Sequence, residues 1–334
     1  MESDFSKILI GLPGCEFKES LGQRLGALEL LVTINGDERL VRAFSLSRFR
    51  TPQEKLVLLN EIKNGELLDN QPYFVKQFNH LYLNNHLLVV YENFKSTQID
   101  RLAPLLDLYH NLPLLMKDMV DAMGLLREKK LVHARISPKM ITFINGYFKL
   151  CFFSFCDPLG SPPRSPFTLY DAPETHTKGI VLVQSQIYSF GVIFYQLLCG
   201  NFPLQNEKPE HLKELYQRRK KLDLVFPKSA DTSLCELIQN CLEIDYQTRI
   251  SLRSLKEAID KLAKTCFQNV IAHRKILIHR LKDTGGKVLR KDRSRSFYNK
   301  GPDASFTKKS QFVDSFTQLP RSNSSTKNLR LLNI

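Results

Sequence analysis

The feature that most constrains this chain is a change of hydrophobic period near residue 94. Before it, apolar residues come in short runs broken by turn residues. Leu28 to Ile34 is such a run, Asn35-Gly36-Asp37 is a hairpin turn, and Leu40 to Leu46 reads as the return strand. Thr51-Pro52-Gln53-Glu54 opens a helix, with Thr51 as N-cap, Pro52 at the first helical position and Glu54 closing a capping box. Leu56, Leu59 and Ile62 are the apolar positions of that helix, and Leu87 to Tyr91 is a buried strand. After residue 94, Leu112, Leu115, Met119, Met123 and Leu126 recur at spacings of three and four, one face of a long helix. Short strands are expected at 141–144 and 147–150, joined through Asn145-Gly146, then a proline-rich loop over 151–169 and further helices to about residue 282. This pattern predicts an α+β fold in two lobes, a small β-rich lobe and a larger helical one, with a ligand cleft between them.

Charge separates the body from its end. The formal net charge is +14, but residues 270–334 hold 15 Lys and Arg against 4 Asp and Glu, so the rest of the chain is close to neutral. A nucleic-acid reading drawn from the whole-chain charge would mistake a property of the tail for one of the fold, and no specific nucleic-acid partner is expected. From Asp283 onward Lys, Arg, Ser and Asn dominate without periodicity, which predicts disorder over 283–334. With 43% hydrophobic residues, the body is globular. The most apolar run, Ile187 to Cys199, is too short to span a bilayer. The start has no basic and apolar secretory pattern, and the seven cysteines form no C-x-x-C pair. Reduced thiols in a cytoplasmic or nuclear protein are therefore expected.

Five segments then stand in a telling order. His133-Ala134-Arg135-Ile136-Ser137-Pro138-Lys139-Met140-Ile141 resembles the catalytic loop H-R-D-L-K-P-E-N-I of protein kinases. Lys149-Leu150-Cys151-Phe152-Phe153-Ser154 is similar to K-L-A-D-F-G, and Ala172-Pro173-Glu174 is an intact A-P-E. Ile187 to Val192 looks like the start of the buried F helix, and Cys241-Leu242 with Asp245 and Arg249 resembles C-L-x-x-D-P-x-x-R. The resemblance covers roughly residues 17–265 and implies a two-lobed protein-kinase-like fold. In the front lobe it puts Leu21 to Ala27, with Gly22, at the glycine-rich loop, Arg42 at the third-strand lysine, Glu61 at the C-helix glutamate and Tyr91-Glu92 at the entrance to the hinge.

The same resemblance exposes what is missing. Phosphoryl transfer in the family needs an aspartate to take a proton, an aspartate and an asparagine to hold magnesium, and lysines on the phosphates. Arg135 stands at the base position, and a guanidinium does not deprotonate at neutral pH. Met140 and Phe152 stand at the two metal positions, where a thioether and a phenyl ring replace the oxygen ligands magnesium requires. Ser137 replaces the catalytic-loop lysine, and Arg24 replaces the second glycine of the phosphate loop. Asp157 and Asp171 are the substitutes to consider. Asp157 needs a register shift that breaks the strand at 147–150, and Asp171 reads as a solvated loop residue.

What is retained is scaffold. The resemblance assigns Glu174 and Arg249 to an ion pair, His133 to packing behind the loop and Phe153 to the core. Arg42 and Glu61 either pair or stand as separate surface charges. No cofactor is expected, and the alternative is metal-free ATP on a patch of Arg24, Arg42, Arg135 and Lys139. Ser161 and Ser165, each before a proline, and Ser294 and Ser296, within and just after the run Lys287 to Arg295, are candidate phosphorylation sites, against a plain surface loop and a solvated charge run. Phe267, Val270, Ile271, Ile278 and Leu281 mark one side of a final helix that packs on the larger lobe or grips a partner. The expected layout is 1–93 and 94–265 as the two lobes, 266–282 as that helix and 283–334 as a basic tail. The resemblance implies an inactive kinase-like adaptor whose partner is a protein, with an active kinase as one class. The alternatives are an active Ser/Thr kinase with displaced residues, and a kinase-fold platform targeted by its tail to an acidic surface.

Overall fold

The computed structural model describes residues 8–94, 98–99, 108–163, 167–204, 207–219, 221–267 and 270–284. Its smaller lobe is a five-stranded antiparallel sheet of order β1-β2-β3-β5-β4, with β1 Cys15–Arg24, β2 Ala27–Ile34, β3 Asp37–Ser45, β4 Gln77–Leu83 and β5 His86–Glu92. Asn35 and Gly36 take φ of 52° and 87°, the positive values a two-residue hairpin turn needs, and set Ile34 opposite Asp37. The outer face of the sheet is a small core of Leu30, Val32, Val41, Ala43, Leu88 and Val90, covered by Leu9 and Leu12. The inner face packs toward α1, Pro52–Leu67, which starts on the Thr51–Glu54 capping box.

The orientation of α1 differs from the sequence expectation. Leu56 and Leu59 are 50% and 54% exposed, and the buried positions are Leu58, Glu61, Asn64 and Gly65. A helix normally hides its apolar stripe. Here polar side chains face inward because the neighbouring backbone offers them hydrogen-bond partners, as the site below shows.

The larger lobe is built on two buried helices. In α2, Leu108–Glu128, the stripe Leu112, Leu115, Met119, Met123 and Leu126 is completely buried. After β6, Leu131–His133, come the hairpin β7, Ile141–Ile144, and β8, Tyr147–Leu150, and then β9, Cys156–Pro158, which pairs with β6. Short α3, Pro173–Lys178, precedes α4, Val183–Cys199, which is buried along nearly its whole length. The helices α5 Leu212–Arg218, α6 Thr232–Cys241 and α7 Leu252–Cys266 surround them.

The last helix, α8 Val270–Thr284, packs on the larger lobe with Phe267 and Val270 against its core and Ile278 beside Gly146, as expected, and Ile271 is the exception. Ile271 is 69% exposed, while Arg274 and Leu277 are buried. The helix also runs through Asp283 and Thr284, so the basic tail begins later than the sequence suggests; its remainder lies outside the described residues. Arg274 forms a fork on Asp118 of α2, with Nη1 2.8 Å from Oδ2 and Nη2 2.5 Å from Oδ1, and lies over the Tyr147 ring. Burial pushes the Asp118 carboxyl up, and the Arg274 bonds oppose that shift. Breaking one side of such a pair leaves a buried charge without compensation. Arg274→Ala is therefore expected to cost about 3–5 kcal/mol in chemical denaturation, and Asp118→Leu with Arg274→Met to recover most of it.

Candidate functional site

The carboxylate of Glu61 organises the face between the lobes. Glu61 sits on α1 with no exposed surface, and three donors converge on it. Arg42 Nη1 and the Tyr91 hydroxyl donate to Oε1, each at 2.5 Å, and the Ser154 backbone N–H donates to Oε2 at 2.5 Å. Arg42 and Glu61 are thus a buried ion pair, and the reading of two separate surface charges does not hold. The Glu29 carboxylate lies 3.6 Å from Arg42 Nε. Burial alone would lower the Arg42 pKa; Glu61 and Glu29 outweigh it and hold it above its ordinary value. The Tyr91 hydroxyl is pushed well up, by burial first and then by the Glu61 charge.

Two residues that sequence reasoning missed extend this contact. Asn64 donates to the carbonyls of Phe153 and Cys156, at 3.2 and 2.8 Å, and Asn60 donates to the Cys156 carbonyl and to Asp157 Oδ1, at 3.3 and 3.1 Å. With Glu61 they form a polar row on α1 meshed with residues 153–157. The signal was present as Asn60, Glu61 and Asn64 on one side of the helix, but it is legible only once the facing backbone is known.

Phe152, at the first position of the D-F-G-like segment, is 1% exposed and has φ 68°, ψ 67°. A bulky side chain in the left-handed region costs on the order of 1–3 kcal/mol and persists only where its surroundings hold it. Here the guanidinium carbons of Arg42 and Arg24 lie 4.4 and 4.8 Å from its ring centroid, and Phe94 meets it edge-on at 5.9 Å. Phe153 packs against Phe74 and Tyr91. Arg24, at the end of β1, reaches across to the Lys139 carbonyl at 2.6 Å. Gly22, with φ 89°, pairs with Glu29 in the same hairpin. Glu92, expected in the cleft, accepts from Lys149 Nζ at 2.6 Å and from the Lys76 backbone at 2.7 Å, tying β5 to β8.

In the catalytic-loop-like segment, His133 Nε2 lies 3.1 Å from the Cys151 carbonyl, and the Arg135 N–H points to Nδ1 at 3.4 Å. A carbonyl can only accept, so Nε2 carries the proton. Ser137 starts the short turn that ends at Met140, which is 4% exposed. Arg135 is buried, with its guanidinium over the Phe155 ring at 5.5 Å.

Asp171 corrects the sequence expectation. It is 8% exposed rather than solvated, and Oδ2 accepts from the Thr168 N–H at 2.6 Å. Burial raises its pKa to about 6, against the pull of the Thr168 bond and the Arg135 charge. Asp157 stays in β9 opposite Val132, and the strand at 147–150 keeps its register. Glu174 and Arg249 form a buried fork at 2.8 and 3.0 Å, with Ser185 Oγ also on Glu174. Ser161 is half-buried, and its backbone pairs with Val181. Ser165, Ser294 and Ser296 lie outside the described residues.

Known proteins place this arrangement. The family described as Protein kinase domain matches residues 35–259, and the chain belongs to that family. Its two-lobed α+β architecture agrees. Among curated relatives, the Aurora kinase of Eremothecium gossypii is 32% identical over 145 residues, covering 42% of this chain and 38% of the relative. Aurora kinase B of Danio rerio is 31% identical over 146 residues, 42% of this chain and 45% of the relative. The serine/threonine-protein kinase stk11 homolog of Dictyostelium discoideum is 23% identical over 232 residues, 62% and 37%. The chain thus spans less than half the length of these relatives. No helix among the described residues is long and apolar enough to cross a membrane.

Two buried groups give opposite pH responses. The folded pKa of Asp171, about 6, lies above its ordinary value of 3.8, so its contribution to stability is complete below pH 3.8 and lost as pH rises through 6. His176, between Phe167 and Tyr216, is lowered by burial to about 4, so its contribution is complete above 6.5 and lost as pH falls through 4. In melting curves across pH, Asp171→Asn is expected to be more stable than the parent at pH 7.5, with the gain gone by pH 3.5. His176→Phe is expected to reduce the acid-side loss between pH 6.5 and 4.

Proposed function

We propose that this chain is a kinase-fold protein without phosphoryl-transfer activity that works as an adaptor or allosteric scaffold through protein contacts. One observation carries the reading: where the family holds magnesium and accepts a proton, this chain has Met140, Phe152 and Arg135, and two guanidinium groups lie against the Phe152 ring. A divalent cation needs hard oxygen ligands, and this donor set does not fit one. Catalysis in the family is positioning plus charge neutralisation, so loss of all three groups leaves no alternative path through the same residues. The two carboxylates considered as substitutes are engaged in other bonds, Asp157 with Asn60 and Asp171 with the Thr168 backbone.

The scaffold half of the reading rests on rigidity. Asn60, Glu61 and Asn64 hold α1 against residues 153–157, and the Glu174–Arg249 fork ties α3 to the segment after α6. A protein that acts by shape needs one conformation to be favoured, because a partner shifts an equilibrium only through differential affinity. The partner class we assign is a protein, with an active kinase as the first to test, in a cytoplasmic or nuclear setting. The basic tail is an additional contact for an acidic surface.

The competing reading, an atypical ATP-dependent Ser/Thr kinase, is favoured by the kinase names of the relatives. Thermal unfolding with ATP, with and without magnesium, separates the two, because a ligand that binds the native state raises its stability. The expected outcome is no magnesium-dependent shift and no transfer of radiolabelled phosphate. A magnesium-dependent shift, with transfer that disappears in Asp157→Ala or Asp171→Ala, establishes the active-kinase reading instead.

A further inference from the structure

We propose that Arg24 is a latch that holds the two lobes shut over the cleft, through its bond to the Lys139 carbonyl and its contact with the Phe152 ring. This deepens the reading above, since a cleft relieved of phosphoryl transfer can be closed from within.

The geometry of the hairpin makes Arg24 an effective latch. β1 ends at Arg24, and the two-residue turn Leu25-Gly26, with φ of 49° and 79°, returns the chain at once to β2, where Ala27 pairs with Arg24. The base of the side chain is therefore fixed by the sheet, and only its length spans the cleft. Its Nη2 donates to the Lys139 carbonyl at 2.6 Å, a bond between residues 115 apart in sequence. Its guanidinium carbon lies 4.8 Å from the Phe152 ring centroid, and its own carbonyl accepts from Arg42 Nη2 at 3.4 Å. One residue thus touches the hairpin, the catalytic-loop-like segment and the strained ring, while its neighbour Arg42 carries the link on to Glu61 and α1.

The strength of the contact suits a closure that opens. Arg42 is neutralised by Glu61 and Glu29, whereas Arg24 makes no ion pair with a carboxylate among the described residues. Its charge is spent on a neutral carbonyl and a ring face, both weaker partners than a carboxylate. Phe152, whose left-handed backbone persists only where its ring is held, is held by Arg24 together with Arg42 and Phe94.

Cys151 reports on the closure directly. Its thiol, in the residue before Phe152, is 1% exposed and lies 3.2 Å from the Met140 carbonyl and 4.0 Å from the Lys139 carbonyl that Arg24 holds. Cys241 lies in the core of the larger lobe with no exposed surface and serves as the control for global unfolding. The experiment alkylates the full chain with iodoacetamide under native conditions and follows each cysteine by peptide mass mapping. Arg24→Ala is expected to label Cys151 at least tenfold faster than the parent, with Cys241 unchanged, and Arg24→Lys, which keeps the charge over the ring, to fall between them. Removing the Arg24 cation by itself disfavours the thiolate, since burial already raises the Cys151 pKa and Arg24 opposes that. An acceleration therefore reports opening and not reactivity. Unchanged Cys151 labelling in both variants overturns the latch, and so does equal acceleration at Cys151 and Cys241. Labelling is read without nucleotide, so phosphate transfer by the parent chain would sink the inactive reading alone and leave the latch to be decided by the two rates.

Discussion

The buried carboxylate of Glu61 is the point through which the small lobe, α1 and the segment after β8 are joined. An unpaired carboxylate at full burial is prohibitive, so the fold must deliver donors to it. It delivers three, from β3, from β5 and from the backbone of residue 154. Each comes from a different element, and each element is fixed in part by meeting the other two at this one group. The aromatic residues around it, Phe74, Phe153 and Phe94, exclude water and strengthen every contact inside.

On the proposed reading, the chemistry of the cleft around that centre is inverted. Where the family handles anions and a metal, this chain places rings and guanidinium groups, and where an acidic base stands, it has Arg135 with Asp171 bearing on it across the loop. The Glu174–Arg249 fork and the His133 contacts with the Cys151 carbonyl and the Arg135 N–H are present. On the proposed reading, the parts that shape a kinase fold and the parts that run its reaction separate along this sequence, because they answer to different physical demands. Burial and hydrogen bonding preserve the first. Only charge placement around a reacting phosphate preserves the second.

Most of the architecture was legible before any coordinates. Asn35-Gly36 and Asn145-Gly146 announced their turns, the Thr51–Glu54 box announced its helix, and the α2 stripe announced a buried face. Local signals sufficed there because the partner of each residue lies within a few positions. The failures share the opposite property. Leu56, Leu59 and Ile271 were assigned inward because apolar residues usually are, yet Asn60, Glu61 and Asn64 have better partners across α1, and Arg274 has Asp118. Glu92 is engaged in the same way by a group distant in sequence, Lys149. The polar residues of a site choose among long-range partners, and hydrophobic periodicity carries no record of that choice.

The meshing of α1 has a mechanical consequence. A helix seated on leucines can slide or roll by small increments, trading one greasy contact for a similar one. A helix seated on directional bonds cannot, because successive residues are about 100° apart around the axis and a roll of that size unseats Asn60, Glu61 and Asn64 together. Any displacement of α1 therefore breaks these bonds as a set, where a purely apolar seat would let its contacts be exchanged one at a time.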